Sequence, residues 1–227
     1  MADFILYSNI LYSKDKNNLE IIKDGYAVCS GEISMGVFSE IPEEYKNYEL
    51  IDCKDKIIIP GLIDLHVHAP QYSFRSVGMD CELLEWLEVH AFPEEAKFSD
   101  LEYAEKAYTL FTEDLKTGYT TRACVFATMH TDASIILMNQ LEKSGLKTMV
   151  GKVNMDRNSP DYLCEISAEK SILETIRFIE LSRSFKNTKP VITPRFIPSC
   201  SDELMSGLSD LMKEYDLPIQ SHLSENP

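Results

Sequence analysis

The residue pattern predicts an α/β fold built on a parallel sheet and preceded by a small all-β unit, and two observations carry that expectation. From residue 60 onward, short apolar runs alternate with segments whose apolar residues recur every three or four positions, which is the order strand, helix, strand, helix. Before residue 60 no helical period occurs, and the chain consists of β-branched and aromatic runs separated by turn residues.

In the first 59 residues, Phe4 to Tyr12, Leu19 to Ile22, Tyr26 to Cys29 and Glu32 to Phe38 read as strands. The tracts Lys-Asp-Lys-Asn-Asn, Lys-Asp-Gly and Ser-Gly separate them as turns, so an antiparallel arrangement is expected. A polar connection at 41–46 leads into Ile57 to Leu65, apolar almost throughout, as a strand covered on both faces should be. Leu101, Ala104, Tyr108, Phe111 and Leu115 then mark one face of a helix ending near Gly118, and Thr120 to Ala127 reads as a strand. Ile135, Met138 and Leu141 give a helix stopped at Gly145, followed by a strand from Lys147 to Met155. Ile172, Ile176 and Ile179 mark the next helix and Pro190 to Pro198 the next strand. Leu204, Leu208, Leu211 and Tyr215 form a last helical face before a strand from Pro218 to His222.

Five β units fit the 168 residues from 60 to 227, whereas a complete eight-stranded (β/α) barrel needs about 250. Two architectures therefore compete: an open doubly wound sheet, or a barrel represented by about five of its eight units. The ending directly after an apolar strand favours the second. Domains are expected at 1–59, a small β-sandwich domain, and at 60–227, the barrel portion.

The 227 residues carry 22 Lys plus Arg against 37 Asp plus Glu, a formal charge of −15. A surface of that sign does not bind phosphate backbones, so nucleic acid is excluded as a partner. No run of roughly 18 apolar residues occurs, so no membrane span is expected. The six cysteines stand at least 24 residues apart and form no Cys-x-x-Cys pair. They are expected to be reduced and mostly buried in a cytoplasmic protein.

His66 and His68, at i and i+2 near a strand end, point to one face of the sheet and suit a shared metal ion. Spacing alone also suits a satisfied polar pair. Their place favours chemistry, because active sites of parallel α/β folds sit at strand C-termini. His222 ends the fifth expected strand, where a third ligand to the same ion is geometrically reasonable. Glu225 follows three residues later, placed to shuttle protons.

Pro60-Gly61-Leu62-Ile63-Asp64-Leu65-His66-Val67-His68 resembles the first metal motif of the amidohydrolase superfamily, and Ala69-Pro70-Gln71-Tyr72 is similar to its guanine-deaminase branch. Further tracts of the same resemblance are Leu84 to Leu87, Phe92 to Glu95, Arg157 to Pro160, Thr193 to Phe196, Pro198 to Ser201 and Gln220 to Asn226. What the resemblance implies is a metal-dependent hydrolase of TIM-type (β/α)8 fold that converts guanine to xanthine and ammonia. His66, His68 and His222 would hold a zinc or iron ion, and Glu225 would move protons together with His222. Gln71 and Arg195 would hydrogen-bond the purine's polar edge, and Phe196 would pack on its ring.

The family's further His, on strand six, and Asp, on strand eight, fall beyond residue 227. Residues 1–227 alone are therefore expected neither to deaminate guanine nor to hold zinc tightly. A homodimer is expected from the resemblance only. The competing expectations are an amidohydrolase acting on a different aminated or halogenated ring, and a non-catalytic oligomeric relative.

Overall fold

The computed structural model describes residues 3–224, which divide into two compact units on either side of the boundary between Gly61 and Leu62. In the first unit the described residues make one four-stranded sheet in the order β3-β2-β1-β4, from β1 (Phe4–Ser13), β2 (Leu19–Ser30), β3 (Ile33–Phe38) and β4 (Glu49–Ile58). Two expectations change here. The Lys23-Asp24-Gly25 tract is not a turn between strands but a bulge inside β2, where Asp24 takes a φ of 49° and its N–H donates to Asn9 Oδ1 at 3.2 Å. A bulge absorbs one extra residue and leaves the strand continuous. The sheet is also mixed rather than antiparallel, since β4 pairs parallel to β1. A connection containing a single 3-10 turn at Glu43–Tyr45 brings the chain back in the direction of β1.

The apolar tract Ile57 to Leu65 is two strands, not one. β4 ends at Ile58, and β5 begins at Leu62 and runs to His68 (Leu62–His68). Pro60 has no N–H to give a ladder, so the break falls there. β5 is not covered on both faces as expected: Leu62, Ile63 and Leu65 are 53%, 59% and 76% exposed. It lies at a sheet edge and pairs with one neighbour among the described residues.

In the second unit β5 is followed by β6 (Thr120–Phe126), β7 (Lys147–Gly151) and β9 (Thr188–Pro190), all parallel and in chain order, with β8 (Val153–Asn154) paired to β10 (Thr193–Pro194). A doubly wound sheet reverses its order at a switch point, whereas a barrel wall does not. Parallel bridges from Ile192 to Ile219 and from Phe196 to His222 extend the same unreversed order to a fifth segment. The expected strands 147–155, 190–198 and 218–222 are thus shorter and interrupted. Prolines at 190, 194, 198 and 218 remove ladder donors, which leaves only pairs and single bridges.

The helices α3 (Leu101–Thr117), α4 (Thr131–Ser144), α5 (Ala168–Ser182) and α6 (Asp202–Glu214) pack each on the next. Two shorter helices, α1 (Leu83–Trp86) and α2 (Phe92–Ala96), are joined by a wide turn at Leu87–Ala91. Asp100, Ser167 and Ser201 cap α3, α5 and α6 by accepting backbone N–H bonds, each contributing about 1 kcal/mol. Between helices and sheet, Tyr108, Phe111, Leu137, Met138, Leu141 and Phe178 enclose Val125 and Val150. Burying each such side chain contributes roughly 1.5–3 kcal/mol, which fixes the sheet under the helices and so fixes where its C-terminal ends lie.

Candidate metal and substrate site

His68 ends β5 and pairs with Phe126 at the end of β6, while His222, on the fifth segment, is bridged to Phe196, which follows the fourth strand. Parallel pairing therefore brings chain positions 154 residues apart to one rim. The Nε2 atoms of His68 and His222 are 3.0 Å apart, and one ligand nitrogen from each of His66, His68 and His222 lies within 4.8 Å of the others. Zinc–imidazole bonds of about 2.0–2.1 Å separate two ligands by roughly 2.8–3.4 Å between octahedral and tetrahedral angles, so the His68–His222 spacing suits a common ion. The ring of His66 is the exposed one of the three.

The tautomer of His222 follows from its surroundings. Its Nδ1 lies 2.6 Å from the carbonyl oxygen of Arg195, an acceptor, so Nδ1 carries the proton and Nε2 presents a lone pair. Burial, reinforced by the Arg195 charge and the neighbouring imidazoles, pushes His68 well below the ordinary histidine range. A neutral imidazole is the form that binds a metal. The donor set thus fits a divalent ion.

Beneath the three rings lies Phe126, fully buried. Its ring stacks on His68 at 4.5 Å and contacts His222 at 4.6 Å and His66 at 5.1 Å. Below it, Gln220 donates to Thr193 Oγ1 at 3.0 Å and to the Val125 carbonyl at 3.3 Å, and it accepts from Cys124 Sγ at 3.0 Å. This layer needs Gly151, because a side chain there would overlap Thr193 and crowd Gln220.

Gln71, on the 3-10 segment Ala69–Phe74, together with Arg195 and Phe196, lines the same cavity of about 980 Å³ as the three histidines. Trp86 and Leu87 form part of its wall, and the Trp86 indole N–H is fixed to the Val77 carbonyl at 2.8 Å. Glu225 lies outside the described residues. The other histidines do not line this cavity: His90 closes against Gly78, and Nε2 of His130 is buried without a hydrogen-bond partner among the described residues. Burial holds His130 below the usual histidine range. The cysteines are all free, as expected, but only Cys200 is buried.

Sequence reasoning missed two residues of this site. Phe126 has the signal of its place, since it ends β6 as His68 ends β5. Glu95 has the signal of its spacing, three residues after Phe92 on one helix face. Its carboxylate takes both Nη groups of Arg195, at 2.6 and 3.0 Å, with both side chains buried.

The unreversed parallel strand order and the histidine cluster at the strand C-termini define an α/β protein of barrel type with a candidate metal site. Residues 57–227 match the amidohydrolase family, and the chain belongs to it. Within that family it is similar to guanine deaminases. It is 45% identical to that of Dictyostelium discoideum over 179 residues, which is 78% of this chain and 40% of the relative. To the human enzyme it is 46% identical over 176 residues, 75% of this chain and 38% of the relative. The crystal structure of guanine deaminase from C. acetobutylicum with bound guanine superposes with a TM-score of 0.95 at 47% identity, covering 99% of this chain and 54% of that one. The chain spans about half the length of the relatives it matches. Among its described residues, no helix is long and apolar enough to cross a membrane.

Proposed function

We propose that the protein to which this chain belongs is a guanine deaminase, a hydrolase that replaces the ring amino group of guanine by oxygen to give xanthine and ammonia. The observation that carries the reading is the convergence of His66, His68 and His222 with Gln71, Arg195 and Phe196 in one cavity. A metal-binding histidine set beside a guanidinium and an aromatic ring suits a flat base whose edge is rich in acceptors.

His66, His68 and His222 would hold zinc, or iron. When bound, the ion supplies Lewis acidity that makes hydroxide available near pH 7. The side chains do the rest. Gln71 and Arg195 orient the purine edge, and Phe196 packs on the ring and keeps it in the plane of attack. The Arg195 carbonyl holds the His222 ring in place. Glu225, three residues after His222, takes one proton of the attacking water and gives it to the adjacent ring nitrogen, then takes the remaining proton from the newly added hydroxyl and gives it to the departing amine. A C–O bond forms and the C–N bond breaks, releasing ammonia. The protein is proposed to work in the cytoplasm as a homodimer.

The test is activity of the full-length protein, as the cell makes it, on guanine against adenine and cytosine. Ammonia and xanthine from guanine alone support the reading. Turnover of adenine or cytosine with none of guanine overturns it.

A further inference from the structure

We infer that Glu95 is a positioning residue for substrate selection: it locks the Arg195 guanidinium in the one orientation that presents hydrogen-bond donors, and no acceptor, to the purine edge. The inference rests on the proposed guanine deaminase reading and adds to it a residue outside the metal and purine set.

A guanidinium carries five N–H donors in a fixed plane. Glu95 engages Arg195 end-on, one carboxylate oxygen to each Nη group, at 2.6 and 3.0 Å. That consumes two donors and leaves the Nε–H and one hydrogen on each Nη. Arg195 lines the cavity, and no other hydrogen-bond partner of its guanidinium is found among the described residues. The remaining freedom of the plane is removed by Phe92, whose ring lies 5.0 Å below the guanidinium carbon. Phe92 and Glu95 stand three residues apart on α2, so one helix face supplies both the platform and the clamp.

The main chain of Arg195 is held as firmly. Its N–H donates to the Asn154 carbonyl at 3.0 Å, and its carbonyl accepts from the His222 N–H at 3.1 Å and from His222 Nδ1. A guanidinium fixed in this way satisfies a carbonyl or an unprotonated ring nitrogen and meets an exocyclic amino group donor to donor. A buried donor left unpaired is penalised, so a clamped fork discriminates where a mobile one would turn aside.

The experiment compares the full-length zinc-loaded protein with its Glu95→Gln and Glu95→Asp variants. The readouts are kcat and KM for guanine and the inhibition constants of hypoxanthine and adenine, which differ by carbonyl against amino at one ring carbon. Wild type is expected to favour hypoxanthine. In E95Q that preference should fall at least about tenfold and guanine KM rise by a similar factor, with kcat changing less. E95D, which keeps the charge, should recover part of the preference.

A role in folding alone would lower the melting temperature and the active fraction while leaving KM and the inhibitor ratio unchanged, and that result overturns the inference. Should E95Q not fold, the paired variant Glu95→Leu with Arg195→Met removes both charges without stranding one. Retained preference for hypoxanthine in that variant overturns the inference equally. If wild type itself turns over no guanine, the proposed function fails and the inference fails with it. If wild type is active and E95Q discriminates as well as wild type, only the inference fails.

Discussion

Phe126→Leu is the substitution that tests most directly whether the three histidines are pre-arranged. The Phe126 ring touches all three imidazoles at centroid distances of 4.5, 4.6 and 5.1 Å. Ring–ring contacts of this kind contribute about 0.5–1.5 kcal/mol each beyond area burial. Leucine keeps much of the apolar volume but none of the stacking. The three rings then sample other rotamers before binding, and an ion must restore their order. Taking the lower value for each contact, the loss is about 1.5 kcal/mol, or roughly tenfold in affinity. The assay is zinc titration against a competing chromophoric chelator, with melting followed in parallel. A stability loss of about 1–3 kcal/mol is also expected from the imperfectly filled core. Unchanged zinc affinity in a folded F126L would refute the argument that this ring organises the site.

Three further predictions follow from the same geometry. Lys152 and Glu165 form a buried pair at 2.6 Å, and the carboxylate also accepts from the Met155 N–H at 3.1 Å. Lys152→Met alone should destabilise by about 3–5 kcal/mol in denaturant melts, and Lys152→Met with Glu165→Leu by far less, because only the single change strands a charge. Hydrogen bonds from Lys170, Thr131 and Arg177 hold the Glu174 carboxyl at about 2, below its ordinary 4.5. A depressed folded value gives stability that is complete above about pH 4.5 and is lost as pH falls towards 2. With the side chain a quarter exposed, the contribution is on the order of 1–2 kcal/mol after solvent screening. Acid melts of Glu174→Gln should therefore be flatter than wild type between pH 4.5 and 2, and parallel curves would contradict the assignment. Gly151→Ala should cost about 1–3 kcal/mol by forcing Thr193 and Gln220 aside, with a matching drop in melting temperature. An unshifted melt would show that the layer beneath the histidines is loosely packed.

The elements legible in the sequence were those whose signal is local. Asp100, Ser167 and Ser201 cap helices whose faces repeat every three to four residues, and Gly145 ends α4 at a φ of 81°, so these helices lie where periodicity places them. The His66–His68 pair was legible for the same reason, since alternation along a strand is a property of two neighbours. Strand limits were less legible, because Pro60, Pro190 and Pro194 act on ladder bonds whose partners come from elsewhere in the chain.

By itself the sequence determined the four long helices, the parallel α/β class, the two neighbouring histidines and, through resemblance, the residues proposed to hold metal and purine. Only the tertiary structure decided that strand order does not reverse, that His222 returns to within 3.0 Å of His68, that Phe126 lies under all three imidazoles and that Glu95 clamps Arg195. The physical reason is separation along the chain. Propensity and spacing act over a few residues, whereas His68 and His222 are 154 residues apart and Glu95 and Arg195 are 100, so parallel pairing and core packing alone bring them together.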